Sequence, residues 1–139
     1  NDNMGVRYTL YPVALYYDDD DFLAELEDQY SEDGAAEWQY NLVLDHLNNG
    51  DLDLARAFFE EAYAINPHIP GLLTGEKEDP EITEDHYLRG SIEEGFFYAV
   101  ATRRVWALFE GALDFLKDEE RRLKKKKQAR NVLAAPLKS

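Results

Sequence analysis

Residues 50–67 read Gly50-Asp51-Leu52-Asp53-Leu54-Ala55-Arg56-Ala57-Phe58-Phe59-Glu60-Glu61-Ala62-Tyr63-Ala64-Ile65-Asn66-Pro67. Ala55, Phe58, Phe59, Ala62 and Ile65 recur at three- and four-residue steps, the period of one helix face. Gly50 suits a left-handed stop, and Asp51 is placed to cap the new helix. The helix must end before Pro67, because a residue preceding proline is pushed out of the α region.

Helical spacing continues on both sides. Upstream, a helix is predicted over about 35–48, with stripes Ala36, Tyr40, Val43, Leu47 and Ala35, Trp38, Leu42. A helix apolar on two sides packs between neighbours. Before it, Leu23, Leu26 and Tyr30 mark another helix, entered through the acidic run Asp18 to Asp21. In the first helix Val6, Leu10, Val13 and Tyr17 fall on one face, with Asp2 or Asn3 as cap. Pro12 predicts a kink or an early stop there. Downstream, Pro67, Pro70, Gly71, Gly75 and Pro80 predict a loop with at most one short turn of helix. Ser91, with Glu94 three residues on, forms a capping box for a fifth helix. A break is expected near Gly111, then a charged helix over 117–130, and fraying over 136–139. No apolar run approaches the roughly 18–20 residues needed to span a bilayer.

The charge is uneven. Net charge is −14 over 139 residues. Residues 1–116 hold 26 acids against six bases, a balance of −20, and residues 117–139 hold nine bases against three acids, a balance of +6. The acidic part repels phosphate backbones, which argues against nucleic-acid binding by residues 1–116. It points to a basic partner, to an internal dock for the basic tail, or simply to solubility. With no Cys, disulfides, thiolate zinc sites and Cys nucleophiles are excluded.

The stretch 50–67 resembles the second half of a tetratricopeptide repeat. In that likeness Ala55 and Ala62 are the small residues at the helix crossing, Phe59 the aromatic between helices, Pro67 the terminator, and Gly50 the turn. Asn1-Asp2-Asn3-Met4-Gly5-Val6-Arg7-Tyr8, Asn66-Pro67-His68-Ile69-Pro70, Leu72-Leu73-Thr74-Gly75, Gly90-Ser91, Tyr98-Ala99, Trp106, Gly111-Ala112-Leu113 and Phe115-Leu116 are similar to a group of bacterial tetratricopeptide-like proteins. Some of those are described as relatives of the suppressor-of-tumorigenicity family. The resemblance covers about residues 1–117. It implies an all-α fold: antiparallel helix pairs in a right-handed superhelical stack with a C-terminal helical cap. It also implies protein–protein interaction as the role, and an upstream repeat in a longer protein. Residues 118–139 have no counterpart in it and are expected to form a separate basic extension.

Candidate sites are few. His46, His68 and His86 form no His-x-x-x-His pair. His68, bracketed by prolines, is expected to bond nearby backbone and fix its loop; the alternative is a ligand or catalyst, and it is also nominated for partner contact. Asp45 onward resembles a calcium loop, but Leu47 and Arg56 occupy ligand positions and exclude it. Asp18 to Asp21 reads as a solvated turn. No nucleophile elbow or phosphate-binding Gly-rich loop is present. Arg7 either pairs with a carboxylate in the fold or clamps one of a partner. Trp38 and Trp106 either pack in the core or anchor a partner in a groove. With Tyr11, Tyr40 and Tyr98 they complete the residues nominated for partner contact. Arg121, Arg122, Lys124, Lys125, Lys126, Lys127 and Arg130 form the basic tail, which either extends a helix or tethers the chain to nucleic acid or an anionic membrane.

The expectation is therefore a cytoplasmic, non-catalytic adaptor module without metal or cofactor. Its helical groove would hold another protein or peptide, with an acidic rim that favours basic ones. A tail-borne tether, a homo-oligomer and a carboxylate-using hydrolase are the alternatives.

Overall fold

A computed structural model describes residues 4–83 and 87–134. These residues form seven helices and, among them, no strand. They are α1 (Met4–Tyr16), α2 (Asp20–Gln29), α3 (Ala36–Asn48), α4 (Leu52–Ile65), α5 (Ile69–Thr74), α6 (Ile92–Trp106) and α7 (Ala112–Ala134). Among the described residues, no helix is long and apolar enough to cross a membrane. The expected caps at Asp2 or Asn3, His86 and the fraying end lie outside the described residues.

The pair α3–α4 forms the most extensive helix contact. Gly50, at φ +77°, turns the chain, and Asp51 accepts from the Leu54 N–H at 3.2 Å. Ala55, Phe59 and Ala62 are fully buried, and Pro67 follows the helix end. Phe59 stands edge-on to Tyr40 at 6.1 Å and to Phe115 at 6.2 Å. Each such side chain taken from water contributes roughly 1.5–3 kcal/mol.

Around this pair, α3 also packs on α1 and α6, and α7 lies across α4 and α5. The short helix expected as one possibility in the proline-rich segment is α5, six residues long, with Pro70 in its first turn, where the missing N–H costs nothing. It packs on α6, where a Cβ on Gly95 would sit 3.2 Å from Ile69 and 3.3 Å from Leu72. Gly111, at φ +81°, breaks α6 from α7 as the sequence indicates. The expected boundary at 117/118 falls inside α7, which runs through it as one helix.

The first helix departs from expectation at Pro12. It continues through Pro12 to Tyr16. Proline removes the N–H that would bond the carbonyl four residues back, here Tyr8. The buried Asn41 supplies the substitute, donating from Nδ2 to the Tyr8 carbonyl at 3.0 Å. The helix also turns its other face inward. Tyr8, Tyr11, Ala14 and Leu15 are buried, whereas Val6, Leu10 and Tyr17 are exposed.

Candidate interaction surfaces

The nominated aromatics do not line a groove. Tyr11, Trp38, Tyr40, Tyr98 and Trp106 are all buried, and four of them donate side-chain hydrogen bonds. Trp106 Nε1 donates to the Tyr98 hydroxyl at 3.1 Å, which donates to Asn41 Oδ1 at 2.6 Å. Tyr40 donates to the Asn66 carbonyl at 2.8 Å. Tyr11 meets Trp38 edge-on at 5.1 Å and donates to Glu27 Oε2. Buried hydroxyls and indole N–H groups need such partners, so these side chains hold the core together. Reaching a partner protein would require breaking it.

Two residues not nominated as functional, Asn41 and Asn66, complete this interior. Asn41 follows from Pro12, as described. Asn66 uses all its polar groups: Nδ2 donates to Ser91 O at 2.9 Å and Glu94 Oε1 at 2.8 Å, and Oδ1 accepts from the His68 N–H. Glu94 also accepts from the Gly90 N–H at 3.0 Å, while Ser91 Oγ accepts from the Glu94 N–H at 3.1 Å. The capping box therefore reaches Gly90 and Asn66 and joins α4 to α6. Nothing in the spacing of Asn41 or Asn66 alone marks them as buried.

Arg7 is inside too. Its Nε and Nη2 donate to Asp33 Oδ2 at 3.0 and 2.6 Å, and its guanidinium lies 4.1 Å from the Tyr30 ring centroid. Burial works to raise the Asp33 pKa, but hydrogen bonds from the Ala35 N–H, Arg7 and Tyr8 outweigh it and hold the carboxyl below its ordinary value. Arg7 thus serves the fold and is not presented to a partner. The His68 backbone is bonded through Asn66, and its ring Nδ1 faces Lys77 Nζ.

The basic segment divides in two. Arg122 Nη2 reaches Glu60 at 2.6 Å and its Nε reaches the buried Glu119 at 2.9 Å. Arg56 meets Glu119 from α4, at 3.0 and 3.1 Å. Arg121 pairs with Asp118, and Lys124 with Glu120. Beyond them Lys125, Lys126, Lys127 and Arg130 are exposed, with Val132 and Leu133 after them.

The helix α1, with Tyr17 just past its end, presents an outward face of Val6, Thr9, Leu10, Val13, Tyr16 and Tyr17, with no charged residue. Val6 is 49% exposed, Leu10 39% and Tyr17 74%. Beside it, an acidic cleft of about 470 Å³ opens toward α3, lined by Asp18, Asp20, Glu27 and Asp45. Among the described residues, no group of His and carboxylates has metal-binding geometry. In comparisons with known proteins, the chain matches no family, no curated protein and no solved structure.

Proposed function

We propose that the protein is a non-catalytic protein-interaction module of tetratricopeptide-like build. In this reading α3–α4 is one repeat-like pair, the neighbouring helices continue the stack, and α7 caps it. The partner contributes a helix to the outward face of α1. The single observation that carries this is the polarity of α1: its only charged residue, Arg7, points inward. A helix apolar on every side is normally covered on every side. The other helices leave the Val6–Leu10–Val13 strip open, and a partner helix would close it. The run Asp18 to Asp21 at the end of this strip favours a partner with basic residues. This replaces the groove of aromatics expected from sequence with a flat helical face.

The test is Val6→Glu with Leu10→Glu in the same chain. Both side chains point outward, so the melting temperature should hold within a few degrees. Proteins captured from the native lysate by the wild-type chain should be lost at least tenfold with the variant, and should weaken as salt rises. Unchanged capture by a folded variant rejects the face.

A further inference from the structure

The cleft between α5 and α7 is built differently from the rest of the surface. Lys117, Arg121 and Lys124 fall at i, i+4 and i+7, so they share one face of α7. Opposite them stands Lys77, which the chain places with some care. Gly75, at φ +84°, turns the backbone after α5. The Lys77 N–H then donates to the Gly71 carbonyl at 3.0 Å. A Cβ on Gly71 would lie 2.8 Å from Lys77 Cβ, so only glycine lets the lysine stem pack there. The space between the two walls is about 500 Å³, and its only acidic lining residues are Glu76 and Glu120.

The charge balance of this cleft is unusual for so acidic a protein. Elsewhere among the described residues, Arg7, Arg56 and Arg103 each meet a carboxylate. Lys77 does not; its ammonium rests against the Nδ1 of His68. Partial burial, then the Lys77 charge, lower the His68 pKa, so the ring is neutral near pH 7 and accepts the bond. A neutral acceptor orients an ammonium without cancelling its charge. Lys117 makes no ion pair among the described residues. Glu120 is already engaged by the Tyr63 hydroxyl at 3.0 Å and by Lys124 at 3.7 Å. Four cations against two carboxylates converge on a concave, half-enclosed space.

We propose that this cleft binds the phosphate group of a small phosphorylated molecule, with Lys77 and Lys117 as its two primary contacts. Arg121 and Lys124, tied only to exposed or shared carboxylates, complete the cage. A dianion matches cations approaching from both walls better than a single carboxylate would. The volume exceeds that of phosphate alone, and Glu76 and Glu120 can accept hydrogen bonds from hydroxyls on the remainder of the ligand. This site stands apart from the α1 face and does not depend on it.

The experiment is calorimetric titration of the full chain with pyrophosphate and with glycerol 3-phosphate at physiological salt. Saturable binding at one site per chain is expected. Lys77→Gln and Lys117→Gln should each weaken it at least tenfold. Paired replacement of Lys126→Gln and Arg130→Gln, which lie on the opposite face of α7 beside a different cleft, should change it less than twofold. Lys117 lies on the helix surface, so its variant tests the site even if Lys77→Gln perturbs the α5 turn. No saturable binding overturns the proposal. Equal weakening by the paired control does so as well, since it would show diffuse attraction to the basic helix. Binding to phosphatidic acid vesicles without binding to either soluble probe would also overturn it, in favour of a membrane surface.

Discussion

Two arginine–carboxylate junctions tie distant parts of this chain together, and they differ chiefly in burial. Arg7 and Asp33 are 10% and 9% exposed at their side chains. Across α4 and α7, Arg56 and Arg122 are 53% and 32% exposed around the buried Glu119. The inner junction is completed on all sides: Asp33 Oδ2 accepts from Arg7 and Tyr8, and Oδ1 accepts from the Ala35 N–H at 2.8 Å. The outer one leaves its arginines in water and seals only the carboxylate they share. The difference shows that identical chemistry acts as a fixed joint inside and as an adjustable seam outside.

Removing one side of the inner joint should have the largest effect. Asp33→Ala strands the Arg7 guanidinium beneath Tyr30 and removes the bond to the start of α3. A loss of about 3–5 kcal/mol is expected in denaturant unfolding. Replacing both partners, Arg7→Met with Asp33→Ala, should recover a good part of it, because no buried charge is then left alone. A loss below about 1 kcal/mol from Asp33→Ala would show that water reaches Arg7 and would erase the contrast.

How much of this was legible follows from how the residues mark their surroundings. The α3–α4 pair was readable because Gly50, Asp51 and Pro67 punctuate it and because charges at Asp53, Arg56, Glu60 and Glu61 mark its outside. The α1 helix had no such marks. It is apolar nearly all round, so its period could not choose between the Val6–Leu10–Val13–Tyr17 face and the Tyr8–Tyr11–Leu15 face. Its one charge misleads, since Arg7 turns inward toward a partner 26 residues away. Pro12 pointed to a kink or an early stop, but the helix runs on to Tyr16, because the repair by Asn41 is a tertiary event. The short α5 was masked by Pro70, Gly71 and Gly75, each of which reads as a breaker. The basic tail was plain in composition, whereas the docking of Arg122 on Glu60 spans 62 residues and no local pattern encodes it. For the candidate surfaces, core packing was one of the two readings of Trp38 and Trp106, and both are buried; the hydrogen-bonded interior that Trp106 joins with Tyr98 and Asn41 had no local signal.

Glu37 sharpens the comparison from the other direction. It follows Asp33 by four residues and is also buried, yet among the described residues it makes no ion pair, Arg89 acting on it only through its charge, and its Oε1 has no hydrogen-bond partner. Burial, with the charges of Glu94 and Asp33 adding to it, pushes its carboxyl from 4.5 up to about 7. Between those values the folded protein holds a proton that the unfolded chain has released. Stability from this group is therefore present below about pH 4.5 and is lost as pH rises through about 7. A displacement of this size corresponds to roughly 3 kcal/mol. Glu37→Gln should stabilise the protein by about 2–3 kcal/mol at pH 8 and hardly at all at pH 4, read from urea midpoints. An equal gain at both pH values would show that packing, and not ionisation, is responsible.

The smallest effect is expected at the outer seam. Arg122→Ala removes the bonds to Glu60 and Glu119, but Arg56 continues to neutralise Glu119 through two hydrogen bonds. Glu60 is open enough to return to water. The loss should be about 0.5–1 kcal/mol at low salt and should shrink further at high salt, because solvent and ions screen this pair. The Asp33→Ala loss should persist at the same salt, since Arg7 is shielded from ions. Measuring both variants across a salt series separates the two joints by their slopes as well as their sizes. If Arg122→Ala were as costly as Asp33→Ala and as indifferent to salt, the α4–α7 contact would be a sealed interior joint. The basic helix would then be part of the core assembly, and only its residues beyond Lys124 would act as an extension.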